Sequence, residues 1–148
     1  MATFKDRIQA DLNEALRSGQ EARKSALRVL TSSIKYAEIE ARKPLDDDAI
    51  VGVIQKLLKQ RRESIALFEQ GGRADLVAKE QADVAVLETY LPEQASVEDI
   101  EAAARAAIAE TGATSAKDMG RVMGILRQQF GTRAEGSALS DAVRKLLA

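Results

Sequence analysis

The chain of 148 residues contains no cysteine, no histidine and no tryptophan. Without thiols there is no disulfide framework, and nothing points to a secreted scaffold. Without thiol or imidazole, structural zinc sites, cysteine nucleophiles and histidine-based triads are excluded. No cofactor and no metal are expected, and any chemistry would fall to carboxylates, lysines, tyrosines and hydroxyls. Aromatic residues make up 3% of the chain against 45% hydrophobic residues, so the core must be aliphatic. No apolar run is long enough to span a bilayer, so no membrane segment is expected. The first residues, Met1-Ala2-Thr3-Phe4-Lys5-Asp6-Arg7, alternate charge with apolar side chains and lack the continuous apolar stretch of a secretory leader. The expected location is therefore cytoplasmic.

What is present is helical spacing. Phe4, Ile8, Leu12 and Leu16 recur at four-residue intervals, with Thr3 and Asp6 placed as cap and N3 partner and Ser18-Gly19 as the stop. A second helix is expected over 21–41 with Leu27, Leu30, Ile34 and Ala37 inward, and Pro44 forbids its continuation. Asp46-Asp47-Asp48 suits the N-terminus of a third helix, which carries Ile50, Ile54, Leu57, Ile65 and Phe68 and ends at Gly71-Gly72. A fourth helix is expected over 74–90, running into Pro92. Beyond it the rhythm shortens to three helices. Ser96 with Asp99, and Ser115 with Asp118, form two candidate capping boxes, and the last helix carries Leu139, Val143 and Leu146. Helices this short are marginal alone and must pack on one another. The expected fold is all-α: an N-terminal helical domain of about four helices, residues 1–92, and a small C-terminal three-helix bundle, residues 93–148.

The acidic triplet lacks the spacing of a calcium loop and reads as helix capping. Tyr36 and Tyr90 read as half-buried packing residues rather than proton donors. No acid sits beside a nucleophile motif or a glycine-rich phosphate loop, so no catalytic residue is assigned. Charge is more informative, because a net charge of −1 hides its segregation. Six cations face three anions between Glu21 and Lys43, while the helix after Val97 is acidic. After it, Lys117, Arg121, Arg127, Arg133, Arg144 and Lys145 face only Asp118, Glu135 and Asp141. Lys117, Arg121, Arg127, Arg144 and Lys145 are the candidate nucleic-acid contacts, since cationic side chains suit phosphate oxygens. With so few aromatics among them, such a surface would follow backbone and shape rather than stack on bases. Gly120 and Gly124 lie four apart, on one helix face, and each costs roughly 1 kcal/mol relative to alanine. Two such losses imply a close-approach notch, for a neighbouring helix or for a phosphate chain.

The stretch Leu87-Glu88-Thr89-Tyr90-Leu91-Pro92-Glu93-Gln94, followed by Asp118-Met119-Gly120-Arg121-Val122-Met123 and Val143-Arg144-Lys145-Leu146-Leu147, resembles the YqeY family over essentially the whole chain. That family is similar in its C-terminal part to the tail of GatB, the B subunit of the tRNA-dependent amidotransferase. The resemblance implies two helical domains joined near Tyr-Leu-Pro. It carries over a tRNA-contact surface at Met119, Gly120, Arg121, Met123 and Lys145. The catalytic cradle of the amidotransferase subunit has no counterpart here, so a carbon–nitrogen ligase label would be inherited rather than earned.

Three readings stay open. One is an accessory protein binding tRNA or a tRNA-handling enzyme. The second is a component of a carbon–nitrogen ligase, a glutamine-dependent aminoacyl-tRNA amidotransferase. The third is a protein–protein adaptor. The sequence leaves the oligomeric state open.

Overall fold

A computed structural model of the chain describes residues 3–148. Seven α-helices run in the order α1 (Phe4–Ser18), α2 (Glu21–Ala41), α3 (Asp47–Gln70), α4 (Ala74–Glu88), α5 (Val97–Thr111), α6 (Met119–Phe130) and α7 (Gly136–Leu147). Short 3-10 turns, Ala116–Asp118 and Gly131–Arg133, flank α6. No strand occurs among the described residues, and the fold is all-α. The chain divides into two compact units, one ending at Leu91 and one starting at Pro92.

The first unit packs α1 to α4 around Ile8, Leu12, Leu27, Leu30, Ile34, Ile50, Ile54, Leu58 and Leu87. The helix ends follow local chemistry. Thr3 and Asp6 form a reciprocal capping box, and Gly19 closes α1 in the left-handed conformation that glycine adopts without strain. Asp46 caps α3 by accepting from Ala49 N at 2.8 Å, and Asp47 accepts from Phe4 N at 3.2 Å. The acidic triplet thus satisfies free N–H groups at two helix starts.

Several side chains depart from the expected pattern. Leu16 is 44% exposed, and Ala15 is the buried residue of that turn. Tyr36 is 65% exposed rather than half-buried, because its position on α2 faces away from Leu30 and Ile34. Helix α4 stops at Glu88, two residues early. Thr89, Tyr90 and Leu91 instead donate to carbonyls three residues back, a tightened last turn. That turn drops the Tyr90 ring into the core, where it is 3% exposed. Its hydroxyl donates to Asp11 Oδ2 at 2.5 Å, and the Arg7 guanidinium lies 4.8 Å from the ring centroid. Between α3 and α4, Arg61 contacts Glu80 at 3.2 Å and Asp83 at 3.7 Å. Burial raises the Asp83 carboxyl above its ordinary range despite that arginine.

The second unit packs α5, α6 and α7 around Ile100, Ala104, Val122, Met123, Leu126, Phe130, Leu139 and Val143. Ser96 caps α5 by accepting from Asp99 N at 3.1 Å, and Gly112 closes that helix in the left-handed conformation. That cap is one-sided, since no return bond from Asp99 to Ser96 N occurs among the described residues, and the second expected box does not form either. Ser115 accepts from Lys117 N at 3.4 Å, and α6 begins only at Met119, after the 3-10 turn. Asp118 turns back to accept from Thr114 N at 3.0 Å, and that bond holds its carboxyl below the usual range. At the linker, Ala95 N donates to Arg133 O at 2.8 Å, and Gln94 Nε2 donates to the Pro92 and Thr132 carbonyls.

Candidate nucleic-acid interface

The candidate surface is built on α6. Val122, Met123, Leu126 and Phe130 are buried, which fixes the inward face of the helix. Gly120 and Gly124 therefore fall on the opposite face, where both are exposed. A methyl group built on either would meet nothing within 4 Å. This rules out one of the two reasons for the notch, since no neighbouring helix of this unit packs against these glycines. The helix gives up stability at two positions and gains no internal packing in return. What it presents is a strip of bare backbone facing solvent.

Cations border that strip. Arg127 continues the row of Gly120 and Gly124 at helical spacing, and it is exposed. Lys117 sits in the 3-10 turn before α6, also exposed. Among the described residues neither side chain has an acidic partner. Arg121 is exposed as well, but its Nη2 donates to Thr111 O at 3.2 Å. Thr111 is the last residue of α5, so this guanidinium satisfies a terminal carbonyl and opposes the negative end of the helix dipole. Arg121 thus has a structural duty beside any ligand contact.

The other two candidate cations belong elsewhere. Lys145 on α7 bonds Glu101 of α5 at 2.9 Å, and this contact holds the Glu101 carboxyl below its usual range. Arg144 lies 3.5 Å from Asp141, one turn before it on the same helix. Both are exposed but already paired with acids, and neither lies on α6. The five cations are therefore two sets: Lys117, Arg121 and Arg127 around the glycine strip, and Arg144 and Lys145 on α7. Periodicity places residues on a helix face, but the partner across the bundle comes only with the fold.

One further cation lies in the turn that follows α6. Arg133, exposed in the 3-10 turn after α6, stacks over the Phe130 ring at 5.6 Å. Its signal in the sequence was the Phe130–Arg133 spacing across Gly131, which turns the chain at φ +55. Tyr90, the most buried hydroxyl-bearing ring, is pushed up to about 12, first by burial and then by Asp11. At neutral pH it keeps its proton and serves packing. Among the described residues no group of three carboxylates converges to hold a metal ion, and no helix is long and apolar enough to cross a membrane.

Comparison with known proteins adds family and relatives. The sequence profile of the Yqey-like protein family matches residues 5–147. A protein of Eremothecium gossypii named altered inheritance of mitochondria protein 41, mitochondrial, is 38% identical over 110 residues, 72% of this chain and 60% of that protein. A protein of the same name in Pyrenophora tritici-repentis is 32% identical over 126 residues, 82% of this chain and 70% of the relative. One from Saccharomyces cerevisiae is 35% identical over 85 residues, 57% of this chain and 46% of its own length. The chain thus spans less than two thirds of the first of these relatives. Their names as mitochondrial proteins overturn the cytoplasmic expectation. The physical reason is simple: the absence of cysteine argues against an oxidising compartment but does not tell one reducing interior compartment from another.

Proposed function

The chain belongs to the YqeY family of helical accessory proteins, and on that premise we propose that it binds tRNA through the α6 face of its C-terminal unit. The observation that carries this reading is the exposed Gly120–Gly124 strip, where an added methyl group meets nothing within 4 Å, bordered by Lys117 and Arg127, which have no acidic partner among the described residues. A helix face without side chains lets a sugar–phosphate chain approach the backbone, and flanking cations neutralise its charge. Such contacts fix position on the nucleic acid without reading bases, so recognition proceeds by shape and phosphate spacing. The ligase alternative rests on the resemblance to GatB alone.

The test is binding of the protein to total tRNA by fluorescence anisotropy at several salt concentrations, with duplex DNA as control. Because the relatives are named as mitochondrial proteins, mitochondrial tRNA is the first pool to offer. Lys117→Glu with Arg127→Glu is the informative pair, since neither side chain holds the fold together. The expected result is a loss of about tenfold or more in affinity, uniform across tRNA species, with the salt slope reduced by about 2. Unchanged affinity and slope would remove the α6 face from consideration. Capture of a protein partner that survives nuclease treatment would then favour the adaptor reading.

A further inference from the structure

The first unit carries an open groove of about 670 Å³ between α2 and α3. Its floor is apolar, with Leu45 and Val53 among the lining residues, and along α3 it runs from Ala49 to Gln60. At 1.5 Å rise per residue that is about 16 Å. Three features of this face are unexplained by the packing of the unit. Tyr36 stands at the groove 65% exposed, with no partner for its ring or hydroxyl among the described residues. Gly52, inside α3, is exposed on the facing wall, and a methyl group there would meet nothing within 4 Å. Glu40 and Lys56 are exposed at the groove, one on each helix, and neither has an ion-pair partner among the described residues.

We propose that this face pairs with the same face of a second copy of the chain about a two-fold axis. Glu40 of one copy meets Lys56 of the other, and Tyr36 of each enters the space over Gly52 of its partner. The charges decide in favour of a second copy. A groove built for an acidic or a basic partner would be lined by one sign, whereas the charged residues lining this one are Glu40 on α2 and Lys56 on α3, neither with an ion-pair partner among the described residues. A two-fold interface requires a self-complementary patch in which the contact from i to j is repeated from j to i. An exposed ring beside a hollow at a glycine satisfies the same condition for shape. Ring and hollow lie on one face, so two copies can exchange them simultaneously.

The test is sedimentation equilibrium of the full chain over a range of concentrations, with circular dichroism confirming that each variant is folded. The expected result is a reversible dimer in the micromolar range. Glu40→Lys and Lys56→Glu should each weaken it by about tenfold, because each change sets like charges opposite one another twice per dimer. The double variant restores both pairs in swapped order and should recover association to within about threefold. At Gly52 a Cβ meets nothing within 4 Å and the position lines the groove, so Gly52→Gln should dissociate the dimer while thermal unfolding of the monomer is not lowered. A chain that stays monomeric up to about 1 mM overturns the proposal, as does a dimer indifferent to Gly52→Gln. A double charge swap no better than the single changes overturns the cross-pairing.

Discussion

Tyr90 and Tyr36 show how far a single residue can be read. Both fall at helical positions in the sequence, yet one is buried against Asp11 and the other stands in solvent. Tyr90 follows the tightened turn after Glu88 and meets Asp11 of α1, a contact across the unit that no periodicity announces. The Tyr90 bond has a measurable consequence in alkali. Burial and the Asp11 bond push the phenol up to about 12, whereas in the unfolded chain it titrates near 10. Below pH 10 both states hold the proton, and this group adds no pH dependence to stability. Between about 10 and 12 the unfolded chain loses the proton while the folded chain keeps it, so stability falls as pH rises through that window. Tyr90→Phe should cost about 1 kcal/mol at neutral pH through the lost bond, with Asp11 keeping Arg23 at 3.5 Å. In urea titrations repeated from pH 9 to 12, the variant should show a shallower alkaline decline than the parent chain. An equally steep decline in both would mean that the phenol is not the titrating group.

At the scale of elements the sequence was legible wherever a helix end is set by its own residues. Thr3 with Asp6, Gly19, Asp46, Ser96 and Gly112 all act locally, and each acts where the spacing places it. Ser115 with Asp118 matches the same pattern and fails, because Asp118 is drawn back to Thr114 and a 3-10 turn intervenes before Met119. The glycines of α6 are the informative case. Their spacing suggested a notch, but only the fold tells an inward notch from an outward one. Because a methyl group at either position meets nothing, Gly120→Ala and Gly124→Ala should each stabilise the C-terminal unit, by about 1 kcal/mol. If the strip serves the approach of a sugar–phosphate chain, the same substitutions should weaken tRNA binding severalfold. Stability and binding would then move in opposite directions, the signature of a surface kept for function at a cost in folding free energy. Denaturant melts and anisotropy on the two variants measure both quantities. Higher stability with unchanged affinity would leave the glycines without a ligand role.

For the whole molecule, the absences were the best guide to the fold class and the poorest guide to location. Few aromatics, no cysteine and continuous helical spacing leave little besides an aliphatic helical fold, and α1 to α7 realise it. A compartment is set by delivery rather than by packing, so composition could not separate the cytoplasm from the mitochondria named for the relatives. The two cores carry the last consequence. Buried residues of α1 to α4 form one cluster and those of α5 to α7 another, so each has its own source of apolar stabilisation. Leu126 is fully buried in the second cluster, and Leu126→Ala should cost about 3 kcal/mol there. A unit of this size has little stability to spare, so its slowest amides should lose most of their protection. Native-state hydrogen exchange reads each helix separately. Faster exchange confined to α5, α6 and α7, with α1 to α4 unchanged, would mark the C-terminal bundle as a cooperative unit of its own. Loss of protection in all seven helices would instead make the chain one folding unit with two cores.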